Sequence, residues 1–148
     1  MRQRETASRL KQTILAHRPP RAGEKLAAYC KDIDRWPSSW AGFPALDVPV
    51  GERMVAEFKR FLRALIETNR AKKTVQHHAH YLWVLGGEII RRVHFEEKDR
   101  QLPGHTLILK YIDETGGPLW NDARYEREHE AYDAVCRSLY QFLTGDDA

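Results

Sequence analysis

The chain is poor in cysteine. Among its 148 residues only Cys30 and Cys136 carry thiols, and neither belongs to a CxxC pair. That pattern excludes a disulfide-stapled scaffold and a thiolate-rich zinc site. Both sit at helix-compatible apolar positions, so they read as reduced core thiols of a cytoplasmic protein. Long apolar runs are also missing. None approaches the ~20 residues of a membrane span. The start, MRQRETASRLKQ, is basic but has no apolar stretch behind it, so no secretory signal and no membrane partner are expected.

Catalytic signatures are equally scarce. There is no glycine-rich phosphate loop: Gly86-Gly87 falls inside a helical pattern, and Gly116-Gly117-Pro118 reads as a turn. There is no nucleophile elbow and no HExxH. His77 and His80 lie three apart on one helical face, which permits joint coordination. A third ligand would have to come from Glu88, His94 or His105, so no metal site is expected. Glu96, Glu97 and Asp99 fall in a connector, and Glu126, Glu128 and Glu130 on an outer helix face. Both groups read as solvated charge, without the pocket that acid–base chemistry needs. The expectation is a protein that is not an enzyme, with no catalytic residues and no cofactor.

What is present is an ordinary globular composition, 42% hydrophobic and 30% charged. A chain of this length buries roughly 70% of its unfolded surface in one core. The net charge of +3 is unevenly spread. Residues 1–25 hold seven basic and two acidic side chains, a balance of +5; residues 26–50 hold two and three, or −1. Residues 51–95 hold nine and four, again +5, while 96–148 hold six and twelve, or −6. The first two-thirds attract a polyanion and the last third repels one unless it faces away.

Periodicity predicts helices throughout and essentially no sheet. Glu5 to Ala16 is a short helix stopped by Pro19-Pro20. Gly23 to Ile33 is a second, with Leu26, Tyr29, Cys30 and Ile33 on one side. Trp36 to Pro44 is irregular, with Trp36, Trp40 and Phe43 either plugged onto the core or exposed as an aromatic platform. Gly51 to Thr68 is strongly amphipathic through Met54, Val55, Phe58, Phe61, Leu62, Leu65 and Ile66. Lys72 to Val93 follows, its inner stripe Val75, Ala79, Leu82, Gly86, Ile89 and Val93. The Gly86-Gly87 pair costs about 1 kcal/mol per glycine relative to alanine, so close approach or a kink is expected there. Leu107, Ile108, Tyr111 and Ile112 mark a short helix. Arg124 to Leu143 is the last, lined by Tyr125, His129, Tyr132, Cys136, Leu139 and Leu143. The fold class is all-α: a single compact bundle of five to six helices, with 1–35 an N-terminal helical extension and 36–148 the main domain.

From Phe58 the pattern FKRFLRALIETNRAKKTV, with Phe58, Phe61, Leu62 and Leu65 before Lys73, Thr74 and Val75, resembles the first hairpin of a known family. The family that it resembles is the core-binding, SAM-like N-terminal domain of tyrosine recombinases and phage integrases. Leu107 to Ile112 and Leu139-Tyr-Gln-Phe-Leu143 fill the places of that family's third and fourth helices, so the resemblance covers roughly 51–143. Leu82 to Ile90 is also similar to a LWxLGGEII run of short bacterial proteins. Ala71 stands where the family has serine, and Glu126, Glu130 and Asp133 occupy the outer face of its DNA-holding helix. The length leaves no room for the catalytic domain, so strand cleavage is not expected.

The outward face of the 72–93 helix is expected to carry Gln76, His77, His80, Val84, Glu88 and Arg91, with Lys72 and Lys73 at its start. Lysine and arginine bind phosphate, a helix N-terminus favours it, and glutamine and histidine can read base edges. The candidate nucleic-acid site is therefore Arg60, Arg63, Lys72, Lys73, Gln76, His77 and His80. The expected function is a non-catalytic DNA-binding accessory or regulator of a mobile element, with a recombinase as partner. The alternative is a protein-interaction module or homodimer that uses the acidic last helix or the Trp36–Phe43 segment.

Overall fold

The computed structural model describes residues 21–124 and 126–145. The expected Glu5–Ala16 helix and Tyr125 lie outside the described residues. Six α-helices follow in order: α1 (Ala22–Tyr29), α2 (Trp36–Trp40), α3 (Pro44–Glu67), α4 (Lys72–Val93), α5 (Gly104–Tyr111) and α6 (Glu126–Leu143). Short 3-10 turns at Ile33–Arg35 and Glu97–Gln101 join them. Among the described residues there is no strand, only an isolated bridge between Asp113 and Gly116. The all-α bundle expected from periodicity is what forms. No described helix is long and apolar enough to cross a membrane.

The core is the seam of the α3–α4 hairpin, covered by α1, α2, α5 and α6. Phe58, Leu62 and Met54 from α3 meet Leu82, Leu85 and Ile89 from α4, all fully buried. Each such side chain contributes about 1.5–3 kcal/mol relative to exposure. The hairpin turn explains why α3 stops where it does. Asn69 adopts a left-handed φ of 63°, Arg70 N–H donates to the Leu65 carbonyl at 3.1 Å, and Asn69 N–H to that of Ile66 at 3.0 Å. This is the two-bond cap that satisfies the last carbonyls of a helix.

Three element boundaries differ from expectation. α1 ends at Tyr29 rather than Ile33, and the chain turns before a 3-10 segment buries Ile33. Its Leu26, Cys30 and Ile33 join the common core. The Trp36–Pro44 stretch is not wholly irregular, because Trp36–Trp40 makes a short helix with proline in its first turn, where no N–H is needed. α3 begins at Pro44, seven residues before Gly51, although Pro49 lies inside it. Pro49 removes one helical bond, and the first turn is held instead by Asp47. Its carboxylate is fully buried and accepts the N–H groups of Gly42 (3.0 Å) and Phe43 (2.8 Å) upstream.

The aromatic segment resolves into both of its readings at once. Trp36 is buried and Trp40 half-buried, whereas Phe43 is 58% exposed. Trp40 accounts for Gly86. A Cβ on Gly86 would overlap the indole ring of Trp40, so the bare backbone lets that ring lie on α4. The close approach expected at the glycine pair is thus made by a side chain. Asp99, expected as solvated charge, is instead buried between Lys110 Nζ (2.7 Å) and the Tyr111 hydroxyl (2.5 Å).

Candidate nucleic-acid interface

α4 is packed on more than one side, and that narrows its free face. Val84 and Glu88, expected to point outward, are buried. Glu88 is held between Arg91 Nη1 (3.2 Å) and Arg92 Nη1 (2.8 Å), which neutralise it. Lys72, Lys73, Gln76, His77, His80, Trp83 and Arg91 remain exposed. Their spacing of three and four keeps Gln76, His80, Trp83 and Gly87 on one stripe.

The seven candidate residues do not form one patch. Lys72 lies with its ammonium 5.7 Å from the Tyr29 ring centre, and Gln76 donates to the Tyr29 carbonyl at 3.0 Å. Both therefore meet the C-terminal end of α1. Arg63 lies beside Gly23 at the other end of that helix. It lines a groove of about 450 Å³ with Lys59, Arg60, Asp34 and Glu52. Arg60 is paired with Glu57 at 2.5 Å and sits over the Phe142 ring of α6. His77 turns toward Tyr81, ring to ring at 5.0 Å, on the flank nearer Trp120. The structure thus gathers Lys72, Lys73, Gln76 and His80 along α4, and leaves Arg60, Arg63 and His77 on neighbouring surfaces.

Two grooves run beside this stripe and share His80 and Trp83 as a common wall. One, about 380 Å³, is lined by Tyr29, Lys31, Asp32, Trp36, Gln76 and Cys30 among others. The other, about 400 Å³, is lined by Ser39, Trp40, Gly87, Arg91, Trp120 and Asp122 among others. Trp83 is 42% exposed and does not swing freely. Its indole N–H donates to Ser39 Oγ at 3.1 Å, and its carbonyl accepts the Trp40 indole N–H at 2.9 Å. The outcome is a fixed aromatic ridge between two grooves, approached at one end by Lys72 and Lys73. There the α4 N-cap, Ala71, supplies no side-chain bond, so the first-turn N–H groups carry no side-chain cap.

The thiol in the first groove is held in its protonated form. Burial, then the nearby Asp32 and Asp34 carboxylates, push Cys30 up to about 11, so it is protonated at neutral pH. Burial above all also drives Cys136 upward. Both cysteines are free and buried, as their positions suggested. Among the described residues no three histidine, cysteine or carboxylate side chains gather closely enough to hold a metal ion.

The acidic face of α6 is less uniform than its spacing suggests. Glu126 and Glu130 are exposed, but Asp133 is half-buried, accepts the Gly117 N–H at 3.0 Å and pairs with His129 at 3.0 Å. Trp83 and Trp120 were not among the candidate residues. Trp83 shares the Gln76–His80 stripe and was legible from it. Trp120 follows a Gly-Gly-Pro turn, and only the tertiary fold brings it to α4. The chain matches no protein-family model, no curated protein and no solved structure.

Proposed function

We propose that this chain is a non-catalytic DNA-binding protein that contacts nucleic acid along the exposed face of α4. One observation carries the reading. The first sixteen residues of α4, Lys72 to Gly87, hold two lysines and three histidines and no acidic side chain. Their exposed members lead from a basic helix start to the Trp83 ridge. Cations bind phosphates, and an aromatic face receives bases. The grooves themselves set Lys31 against Asp32, and Arg91 against Glu88 and Asp122, so the positive excess of this face sits at the helix start. The resemblance of the 58–90 hairpin to recombinase core-binding domains is the reason to place the protein beside a DNA-handling machine, as its accessory or regulator.

The test is fluorescence anisotropy with random-sequence DNA at low and near-physiological salt. Binding should weaken steeply with salt. Replacing Lys72 and Lys73 with glutamate should lower affinity at least tenfold while the helical circular-dichroism signal is kept. Affinity unmoved by this double change would remove the α4 start from the interface.

A second reading has its own observation. Phe43 (58% exposed), whose ring centre lies 5.5 Å from that of His94, is accompanied by exposed Leu46 (52%), three residues on in the chain, and Phe95 (87%), next to His94. Exposed apolar groups in this density suit a protein partner. Sedimentation velocity of the wild type and of Phe95→Ser tests it, since a self-associating surface would lose its dimer in the variant.

A further inference from the structure

We infer that the cleft between Trp83 and Trp120 receives one unpaired nucleobase of a single strand. The inference rests on the nucleic-acid reading above and narrows it to a single strand. The cleft holds about 400 Å³, enough for one flat ring system. Its walls come from two elements and both are fixed. Trp83 is tied to Ser39. Trp120 packs on Tyr81 and Tyr132, with ring centres 6.0 and 5.6 Å away, and its backbone N–H donates to His129 Nε2 at 3.1 Å. The residues before it are pinned as well. The Tyr132 hydroxyl donates to the Pro118 carbonyl at 2.9 Å, and Arg92 to that of Leu119 at 3.0 Å. Walls held this way need little further ordering when a ligand enters.

Gly87 is the observation that packing does not account for. A helix-interior glycine weakens a helix relative to alanine. Gly86 is required, because the Trp40 ring occupies the place of its Cβ. Gly87 is not required in that way: a Cβ there would come no nearer than 3.4 Å to the Trp40 ring, an ordinary van der Waals contact. What the bare backbone at 87 provides is an open floor to the cleft, beside Val84.

The rim fits the polar edge of a base rather than a purely apolar guest. Ser39, His80, Arg91 and Asp122 surround the opening. Arg91 lies between Glu88 (3.2 Å) and Asp122 (3.6 Å), and Arg92 gives Glu88 a second cation, so the acidic groups here are matched by basic ones. A paired base is stacked inside its duplex and cannot reach such a cleft without being flipped out. A single strand can lay its phosphates along Lys72 and Lys73 and stack a base on the indoles, the combination that single-strand binders use.

The experiment measures anisotropy of the full chain with three labelled probes: an oligothymidine of about 15 nucleotides, an abasic strand of equal length, and a duplex. The oligothymidine should bind about tenfold or more tightly than the abasic strand, and it alone should quench tryptophan fluorescence. Trp83→Ala and Gly87→Leu should each weaken oligothymidine binding by about fivefold to a hundredfold and leave the abasic strand unaffected. Trp83→Phe should restore most of the loss. Circular dichroism of each variant should match the wild type. Equal affinity for all three probes, unmoved by these variants, would overturn the base cleft and leave the phosphate contacts standing. Binding to none of them at low salt would overturn both readings.

Discussion

Asp47 organises more of the chain than any exposed charge does. Its buried carboxylate accepts two backbone N–H groups, from Gly42 and Phe43, and meets His94 Nε2 at 2.9 Å and Arg100 Nε at 3.4 Å. It therefore ties the loop before α3 to the end of α4 and to the 3-10 turn. Asp47→Ala leaves those donors without their acceptor and should cost about 3 kcal/mol or more, read from urea denaturation. Its pH dependence has a definite sign. Burial pushes the Asp47 carboxyl up, but the Phe43 N–H, His94 and the Gly42 N–H together hold it below the ordinary 3.8. Burial likewise raises Asp99, and Lys110 and Tyr111 outweigh it. A depressed carboxylate stabilises the fold above its unfolded value and loses that contribution as pH falls through the folded one. His78 acts in a higher window. Burial holds it below the ordinary 6.5 against the Thr74 carbonyl, which accepts its Nδ1–H at 2.8 Å. As pH falls below 6.5 the unfolded chain takes that proton first, so stability declines there too. Thermal melts from pH 7 to 3 should fall gently below 6.5 and steeply below 3.8. Asp47→Asn with Asp99→Asn should lower stability at pH 7 and flatten the steep limb; an unchanged limb would show that other groups drive it.

Among the elements, α4 separates what is legible in sequence from what is not. Its bounds, Lys72 to Val93, follow from the lysine pair after a polar turn and from apolar steps of three and four, and they match the structure. The exposed residues Gln76, His77 and His80 follow from the same geometry. Val84 and Glu88 do not, because one stripe was read as the whole buried face, whereas α4 is covered by α1 and α2 as well as by α3 and α6. Periodicity tells which side of a long helix is apolar. It does not tell which loop lands on the opposite side, and Trp40 and Trp120 arrive from segments with no period of their own. Asp47 and Asp99 were missed for the same reason, since a carboxylate's burial depends on partners 11 to 53 residues away. The two adjacent glycines of α4 should behave oppositely when tested. Gly86→Ala forces Trp40 out of place and should destabilise by about 1–3 kcal/mol. Gly87→Ala should stabilise by about 0.5–1 kcal/mol through helix propensity alone. Adding Trp40→Leu to Gly86→Ala should cost less than the two separate losses combined, because both act on one contact. Additive losses would mean that the indole and the glycine are not energetically coupled.

For the whole molecule, the balance of charge decides whether the α4 face can hold a polyanion. The chain's excess of positive charge lies before residue 96 and its excess of negative charge after it. The two meet along α4, which has α1 and α2 on one flank and the Trp120 segment with α6 on the other. Glu128 of α6 reaches electrostatically as far as Tyr81, so one edge of the face is acidic while the other carries Lys31 and Lys72. A strand following the grooves would meet Lys31, Lys72, Lys73 and Arg91 and pass close to Asp32, Glu88 and Asp122. Four phosphate contacts to a single strand give a slope of about −3 in log affinity against log salt. Replacing Lys72 and Lys73 with glutamine should make that slope shallower by about 1.4, as two phosphate contacts are lost. Arg63→Gln should change it less than the lysine pair does, because Arg63 lies beside Gly23 in a separate small cleft that shares only Cys30 and Lys31 with the first groove. A slope that falls equally for Arg63→Gln would place the nucleic acid across α1 rather than along α4, with the Arg63 groove as part of its path.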